Sequence, residues 1–241
     1  MVMPLSTQYF GKNILITGSS RGVGRLLAEY LTSNGALVIG FSRGESSLAH
    51  SNYRHIKVDI GDPHSVQHGF RNIKELVSHL DILINNAGVA TSQYAMVMLS
   101  KDVQEMLNVN ILGSFLVSRE ASKLMRKNKW GRIINMGSIM SSLEPAGGSI
   151  YAASKAALIT MSNVMAKELS SLNITCNTLA LSGYPTDMMD SLAPEVLKKV
   201  IEGLPIPRLT TGDDIFNVID FLSSDRSSFI TAQTIYLGGV N

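Results

Sequence analysis

Asn13-Ile-Leu-Ile-Thr17, followed without a break by Gly18-Ser19-Ser20-Arg21-Gly22-Val23-Gly24 and a helical pattern that runs to Ser33, is the stretch that decides the fold. The first five residues are apolar and short, as a buried strand requires. The last twelve place Leu26, Leu27, Tyr30 and Leu31 on one helical face, and Asn34-Gly35 is the stop. Between them lies Gly-x-x-x-Gly-x-Gly, a longer loop than Gly-x-Gly-x-x-Gly but with the same physics. Its glycines let the backbone approach a pyrophosphate closely, and the helix behind them offers free N–H groups and a positive dipole end. A glycine-rich turn with no ligand is the alternative. A strand before the loop and a helix after it favour the phosphate reading.

The same alternation continues along the chain. Strands are expected over 36–41, 55–58, 81–85, 131–137, 174–179 and 233–237, and helices over 22–33, 63–78, 100–127, 151–171 and 213–223. Asp62 is a cap for the second helix and Pro63 suits its first turn. Alternating strands and helices imply a parallel sheet covered by helices on both faces, and strands with few charges fit burial on both sides. The fold class is therefore α/β, a doubly wound parallel sheet in one domain spanning 1–241. The irregular segment 182–208, with Pro185, Pro194, Pro205 and Pro207, is the expected substrate lid.

A chain of 241 residues with 45% hydrophobic and 17% charged residues is long enough for a sizeable core and too apolar for disorder. Its net charge of +2 is no nucleic-acid signature. The nearest basic cluster, Arg126, Lys127, Lys129 and Arg132, reads as a solvated helix end. Cys176, the single cysteine, excludes an internal disulfide and suits a small core position. The N-terminal residues carry no cationic, apolar leader pattern, and no apolar run reaches about 18 residues, so a cytoplasmic protein without membrane contact is expected. No metal is called for.

Tyr151-Ala-Ala-Ser-Lys155 sets a phenol and an ammonium four residues apart on one helix face. A phenol in water has a pKa of about 10, and a nearby cation favours the phenolate and makes Tyr a usable proton donor or acceptor. Ser138 ends the strand-like run from Arg132, at the strand end where open α/β sheets hold ligands. The competing reading is an ordinary surface Tyr and Lys.

Taken together, Thr17-Gly18, Gly22-Val-Gly24, Asn85-Asn86-Ala87-Gly88, Asn108-Val-Asn110, Ser138 and Tyr151 with Lys155 resemble the short-chain dehydrogenase/reductase superfamily, over essentially the whole chain. Gly131-Arg-Ile-Ile-Asn and Asp225-Arg-Ser-Ser-Phe-Ile-Thr-Ala-Gln-Thr make it most similar in look to the 3-oxoacyl-(acyl carrier protein) reductases. The resemblance implies a Rossmann-type domain with Tyr151 as catalytic acid/base and Ser138 orienting the substrate carbonyl. Lys155 would lower the Tyr pKa and hold the nicotinamide ribose. Asn110 would support a proton-relay water at a kink of the long helix. Asn86, Ala87 and Gly88 would lie beside the adenosine side, with Asp59 and Ile60 at the adenine. It also implies a homotetramer built through the long helices and the C-terminal strand, and leaves acyl carrier protein as a partner to test.

Cofactor choice rests on Ser42 and Arg43. The position where an NAD enzyme places a carboxylate for the ribose 2′-OH is Ser42 here, and Arg21 and Arg43 can meet a 2′-phosphate, so NADPH/NADP is the expected cofactor. A solvent-facing Arg43 is the alternative. Where the family has Pro-Gly after the sixth strand, this chain has Leu181-Ser182, then Gly183-Tyr184-Pro185-Thr186. By resemblance, Tyr184 and Thr186 flank the nicotinamide carboxamide; without Pro-Gly the turn is expected to be less pre-organised and 183–207 mobile until cofactor binds. These readings imply an NADPH-dependent ketoreductase acting on a 3-oxoacyl thioester or small ketone. A secondary-alcohol dehydrogenase and a cofactor-binding regulator without turnover are the alternatives.

Overall fold

The computed structural model describes residues 7–185 and 201–239. Seven parallel strands form one sheet in the order β3-β2-β1-β4-β5-β6-β7: β1 Asn13–Thr17, β2 Leu37–Ser42, β3 Tyr53–Lys57, β4 Ile82–Asn85, β5 Gly131–Ser138, β6 Ile174–Leu181 and β7 Thr234–Tyr236. The order steps outward from β1 in both directions. The crevice at the strand ends where it reverses, between β1 and β4, is where an open α/β sheet binds ligands.

Helices cover both faces, as the continuous apolar strands require. On one face α2 (Pro63–Leu76), α4 (Ser114–Met125) and α6 (Ser149–Leu169) bury Phe70, Ile73, Val117 and Met165 against Leu15, Leu83, Ile133 and Cys176. On the other, α1 (Gly22–Ser33) and α7 (Gly212–Ser223) bury Leu27, Leu31, Ile215 and Ile219 against Ile14, Ile16, Ile84 and Leu179. The caps explain where helices start. Asp62 accepts from the His64 N–H at 2.9 Å ahead of Pro63, and Thr211 with Asp214 forms a reciprocal capping box on α7.

Three expectations change. The helix expected over 100–127 is interrupted: α3 (Ser100–Leu107) and α4 are joined by a π-helical turn, Asn108–Gly113. At Gly113 a side chain would sit 2.6 Å from the Ile60 carbonyl oxygen, so the glycine lets the turn press onto the end of β3. Arg132 is not part of a solvated cluster but wholly buried. Its guanidinium donates to the carbonyls of Gly131 and Ser224 and stacks 4.3 Å from the Trp130 ring, whose ring also carries Lys12 at 3.9 Å. Both faces of β5 are buried, and Arg132 lies on the one covered by the end of α7, at Ser224, while Arg126, Lys127 and Lys129 stay exposed. A short helix, α5 (Met140–Leu143), also follows β5 where only a loop was read.

Candidate active site

The glycine loop between β1 and α1 is built by close backbone approach. Gly18 (φ +70°) and Gly22 (φ +54°) occupy left-handed backbone, and a Cβ on Gly24 would stand 2.2 Å from the Gly18 carbonyl oxygen. The Gly18 and Ser19 N–H groups both donate to the Phe41 carbonyl, at 2.7 and 3.2 Å. This places Ser42 and Arg43, at the end of β2, beside the loop. Val23 is buried behind it and Ser20 is half-buried. The N-terminus of α1 carries no side-chain cap, and its N-cap residue is Arg21. A tight glycine cradle opening on an uncapped helix N-terminus fits a dinucleotide pyrophosphate.

The segment after β4 braces this loop. Thr17 Oγ1 accepts from the N–H groups of Asn86 and Ala87, both at 3.0 Å, and Asn86 Nδ2 donates to the carbonyls of Thr17 and Gly18. Asn85 points into the sheet core and donates to Ser118 and Asn135. At the end of β3, Asp59 Oδ1 accepts from the Gly61 N–H at 2.9 Å, and Ile60 is buried against the π turn.

Asn110, Ser138, Tyr151 and Lys155 converge at the C-terminal ends of β4 and β5. The Ser138 hydroxyl lies near enough to the Tyr151 phenol to act on its titration, and Ser138 Oγ accepts from the Met140 N–H at 3.2 Å. Burial pushes the Tyr151 phenol above its ordinary value, and the neighbouring Ser138 hydroxyl pulls it down. Lys155, expected to lower this value, contributes nothing to the shift in the protein alone, and the phenol stays raised. Lys155 is itself buried, its ammonium 5.8 Å from the Tyr151 ring centre and donating to the Met136 carbonyl at 2.8 Å; burial lowers its pKa to about 8. A Cβ on Gly88 would lie 3.5 Å from Lys155 Nζ and 3.3 Å from Asn110 Oδ1, so a bare backbone at 88 leaves room between them.

The Asn110 side chain is occupied differently from what its sequence position suggests. It accepts from the Val89 N–H and donates to the Val89 carbonyl, both at 2.9 Å, and donates to Ser154 Oγ at 3.0 Å. Both its donors are used in tying the chain after β4 to α6, so the side chain acts as a brace.

Ser42 and Arg43 are less simply placed. Ser42 Oγ donates to the Gly44 carbonyl at 2.9 Å, and Arg43 pairs with Glu105 on α3 at 3.3 Å rather than facing solvent alone. Tyr184 packs against the α1 side of the core. Thr186 and the central part of the expected lid, 186–200, lie outside the described residues. The described ends of the lid are tied down: Thr210 N donates to the Gly183 carbonyl at 2.7 Å, and Ile206 N to the Gly238 carbonyl at 3.2 Å.

Several contributors had no sequence signal because they act through the backbone: the Val89, Met136 and Phe41 carbonyls. Thr17 and Ser154 stood inside the quoted motifs, but their bracing roles follow only from the fold. A cavity of about 450 Å³ lies between Tyr94, Ser141, Glu144 and the Ala152, Ala153, Ala156 face of α6. Ser138, Tyr151 and Lys155 do not line it, so it neighbours these three side chains without containing them.

The model of the short chain dehydrogenase family matches residues 12–196. The chain is 34% identical to the 3-oxoacyl-[acyl-carrier-protein] reductase of Salmonella typhimurium, covering 95% of this chain and 96% of that protein. It is also 34% identical to the corresponding Aquifex aeolicus reductase, over the same shares. Its fold superposes with a TM-score of 0.91 and 27% identity on a gluconate 5-dehydrogenase from Burkholderia cenocepacia in complex with NADP and tartrate, covering 97% of this chain and 96% of that one. With the glycine cradle and the Ser138, Tyr151 and Lys155 arrangement in place, the chain belongs to the short-chain dehydrogenase family of NAD(P)-dependent oxidoreductases.

Proposed function

We propose that this protein is an NADPH-dependent ketoreductase whose substrate is a ketone, with a 3-oxoacyl thioester as the leading class. The observation that carries the reading is the Ser138–Tyr151 hydroxyl pair backed by the buried Lys155. A carbonyl oxygen placed between the Ser138 and Tyr151 hydroxyls would accept from both. That double donation polarises the carbonyl and holds it against the proton it needs. NADPH, when bound, supplies the hydride to the carbonyl carbon.

Tyr151 gives its proton to the developing alkoxide. The nearby Lys155 cation then stabilises the phenolate left behind, and Lys155, with its pKa lowered to about 8, is itself a willing proton donor. Ser138 keeps the carbonyl oriented, because its own oxygen is fixed by the Met140 N–H. Asn110 holds Val89 and Ser154 in place, so any relay through this residue uses its main chain in the π turn, not its amide. Gly18 to Gly24 and Asn86 to Gly88 would hold the dinucleotide, with Asp59 and Ile60 at the adenine and Tyr184 and Thr186 near the carboxamide.

The similarity to carrier-protein reductases supports an acyl thioester, and the gluconate 5-dehydrogenase neighbour supports a second reading, oxidation of a secondary alcohol on a sugar acid. NADPH consumption over a panel of 3-oxoacyl thioesters, diketones, cyclic ketones and keto sugar acids tests both. Turnover of thioesters or simple ketones is expected. Turnover confined to sugar acids would favour the second reading. Cofactor binding without turnover of any substrate would favour a non-catalytic role.

A further inference from the structure

The end of β2 is enclosed by a ring of contacts. Ser42 accepts at its carbonyl from the Val58 N–H at 3.0 Å, the chain runs on through Asp59 and Ile60 to Gly61, and a Cβ on Gly61 would touch Val109 at 3.3 Å. One helical turn before Val109 lies Glu105, and its carboxylate closes the ring on Arg43 at 3.3 Å. The ring borders the two stretches assigned to the adenine and to the 2′ position of its ribose. Arg43 is thus the cation poised for a 2′-phosphate, and in the protein alone it is already paired with a carboxylate. The pair is about half exposed on both sides (57% and 51%), so water and incoming anions reach it.

The other charges facing this strand end are similarly matched. Lys57 pairs with Glu45 at 2.6 Å, and Arg25 pairs with Glu29 at 2.8 Å and touches Ser47. His55 Nε2 is bonded to the Gly44 carbonyl at 2.9 Å. Among the described residues, Arg43 is the cation that follows β2 directly, and Glu105 is the carboxylate that holds it.

We infer that Glu105 is a specificity-determining residue that competes with the cofactor's 2′-phosphate for Arg43. The inference rests on the NADPH reading. A 2′-phosphate must displace the Glu105 carboxylate and then lie near its negative charge, whereas a 2′-hydroxyl does neither. Glu105 therefore weakens NADPH binding selectively and narrows the preference that Arg43 creates. The pair also holds Arg43 at the end of β2, so the guanidinium is near its target before the exchange.

The test uses the full chain and ligand titration, with no turnover. NADPH and NADH are titrated by fluorescence, and 2′,5′-ADP and 5′-ADP by calorimetry, against wild type, Glu105→Gln, Glu105→Lys and Arg43→Ala. Glu105→Gln should tighten NADPH and 2′,5′-ADP about two- to fivefold, the scale of one exposed ion pair. It should leave NADH and 5′-ADP unchanged. Glu105→Lys should give a larger gain that shrinks as salt is raised. If Arg43→Ala abolishes the NADPH preference but neither Glu105 variant moves 2′,5′-ADP affinity, the competition is overturned and the NADPH reading stands. If Arg43→Ala leaves the preference untouched, the competition is overturned and the NADPH reading stands on another group such as Arg21; equal wild-type affinities for NADPH and NADH would overturn that reading. A loss of NADH affinity in Glu105→Gln would make the carboxylate a 2′-hydroxyl acceptor and likewise overturn the competition.

Discussion

The Ser182 hydroxyl lies 2.7 Å from the Thr210 hydroxyl, and Thr210 also donates its N–H to the Gly183 carbonyl. These two bonds clamp the turn after β6 to the chain leading into α7. They stand where the family's Pro-Gly would give stiffness by another route, through a fixed φ. The loss of Pro-Gly thus does not simply loosen this turn. Leu181→Pro with Ser182→Gly removes the hydroxyl clamp and should cost about 0.5–1.5 kcal/mol of stability. It should also weaken NADPH binding and raise hydrogen exchange at Gly183 and Thr210. A double variant that binds NADPH at least as well as wild type would show that the clamp positions nothing of consequence.

Burying the Lys155 ammonium is costly. Burial lowers its pKa to about 8 from an ordinary 10.5, so the unfolded chain holds the proton more tightly. The native state bears the full penalty below about pH 8 and is relieved as pH rises from about 8 to 10.5. Lys155→Met should therefore stabilise the cofactor-free protein at pH 7. The gain is on the order of 2 kcal/mol after subtracting the lost bond to Met136. That gain should fade toward pH 10.5, and cofactor affinity should drop. Chemical denaturation at pH 7 and pH 10 reads the difference. A destabilised variant at pH 7 would mean that the ammonium contributes more through its bond than burial takes away.

Asp220 on α7 accepts from two tyrosine hydroxyls, Tyr9 and Tyr30, each at 2.7 Å, and Tyr30 stacks on Phe216 with ring centres 3.9 Å apart. The carboxylate pins the segment before β1 and α1 to α7. Burial and the neighbouring carboxylate push both phenols well above their usual range. Asp220→Ala strands two partly buried hydroxyls and should cost about 1.5–3 kcal/mol for each charge-assisted bond lost. A drop of less than about 2 °C in melting temperature would contradict this, given about 2–4 °C per kcal/mol for a chain of this size.

The exposed basic residues Arg126, Lys127 and Lys129 precede Gly131, whereas Ser138 ends the same strand. Eight residues at about 3.3 Å each separate them by more than 20 Å across the sheet. Lys129→Glu should leave turnover of small ketones unchanged. It should alter only carrier-linked substrates, in a salt-sensitive way. An equal loss with free and carrier-linked substrates would show that the patch acts on the fold instead.

Periodicity was enough to place the sheet, because fully buried strands and one-sided helices leave distinct patterns: β1 and α1 have the boundaries that their residues imply. Periodicity was blind where one residue's surroundings decide. Arg132 reads as surface by type, and only the Ser224 carbonyl and the Trp130 ring beside it explain its burial. Periodicity did not show the π turn, because Asn108 to Gly113 continues the helical pattern; the family resemblance implied a kink at Asn110, and the contact that goes with it is Gly113 against Ile60, some fifty residues away. At the site, the Ser138, Tyr151 and Lys155 set was legible because helical spacing and strand ends fix it. The Arg43–Glu105 and Ser182–Thr210 pairs were not, since each joins residues distant in the chain.

The most direct test of the account is Tyr151→Phe, which removes one hydroxyl and keeps the ring. The folded variant should bind NADPH with near wild-type affinity and bind substrate somewhat less well. It should lose about 10²–10⁴-fold in kcat, the range that a positioned acid contributes. Single-turnover reduction of the best ketone from the panel, with cofactor affinity measured on the same preparation, separates chemistry from binding. A folded Tyr151→Phe protein with near-normal kcat would contradict the assignment of the proton to Tyr151, and with it the reading of the whole site.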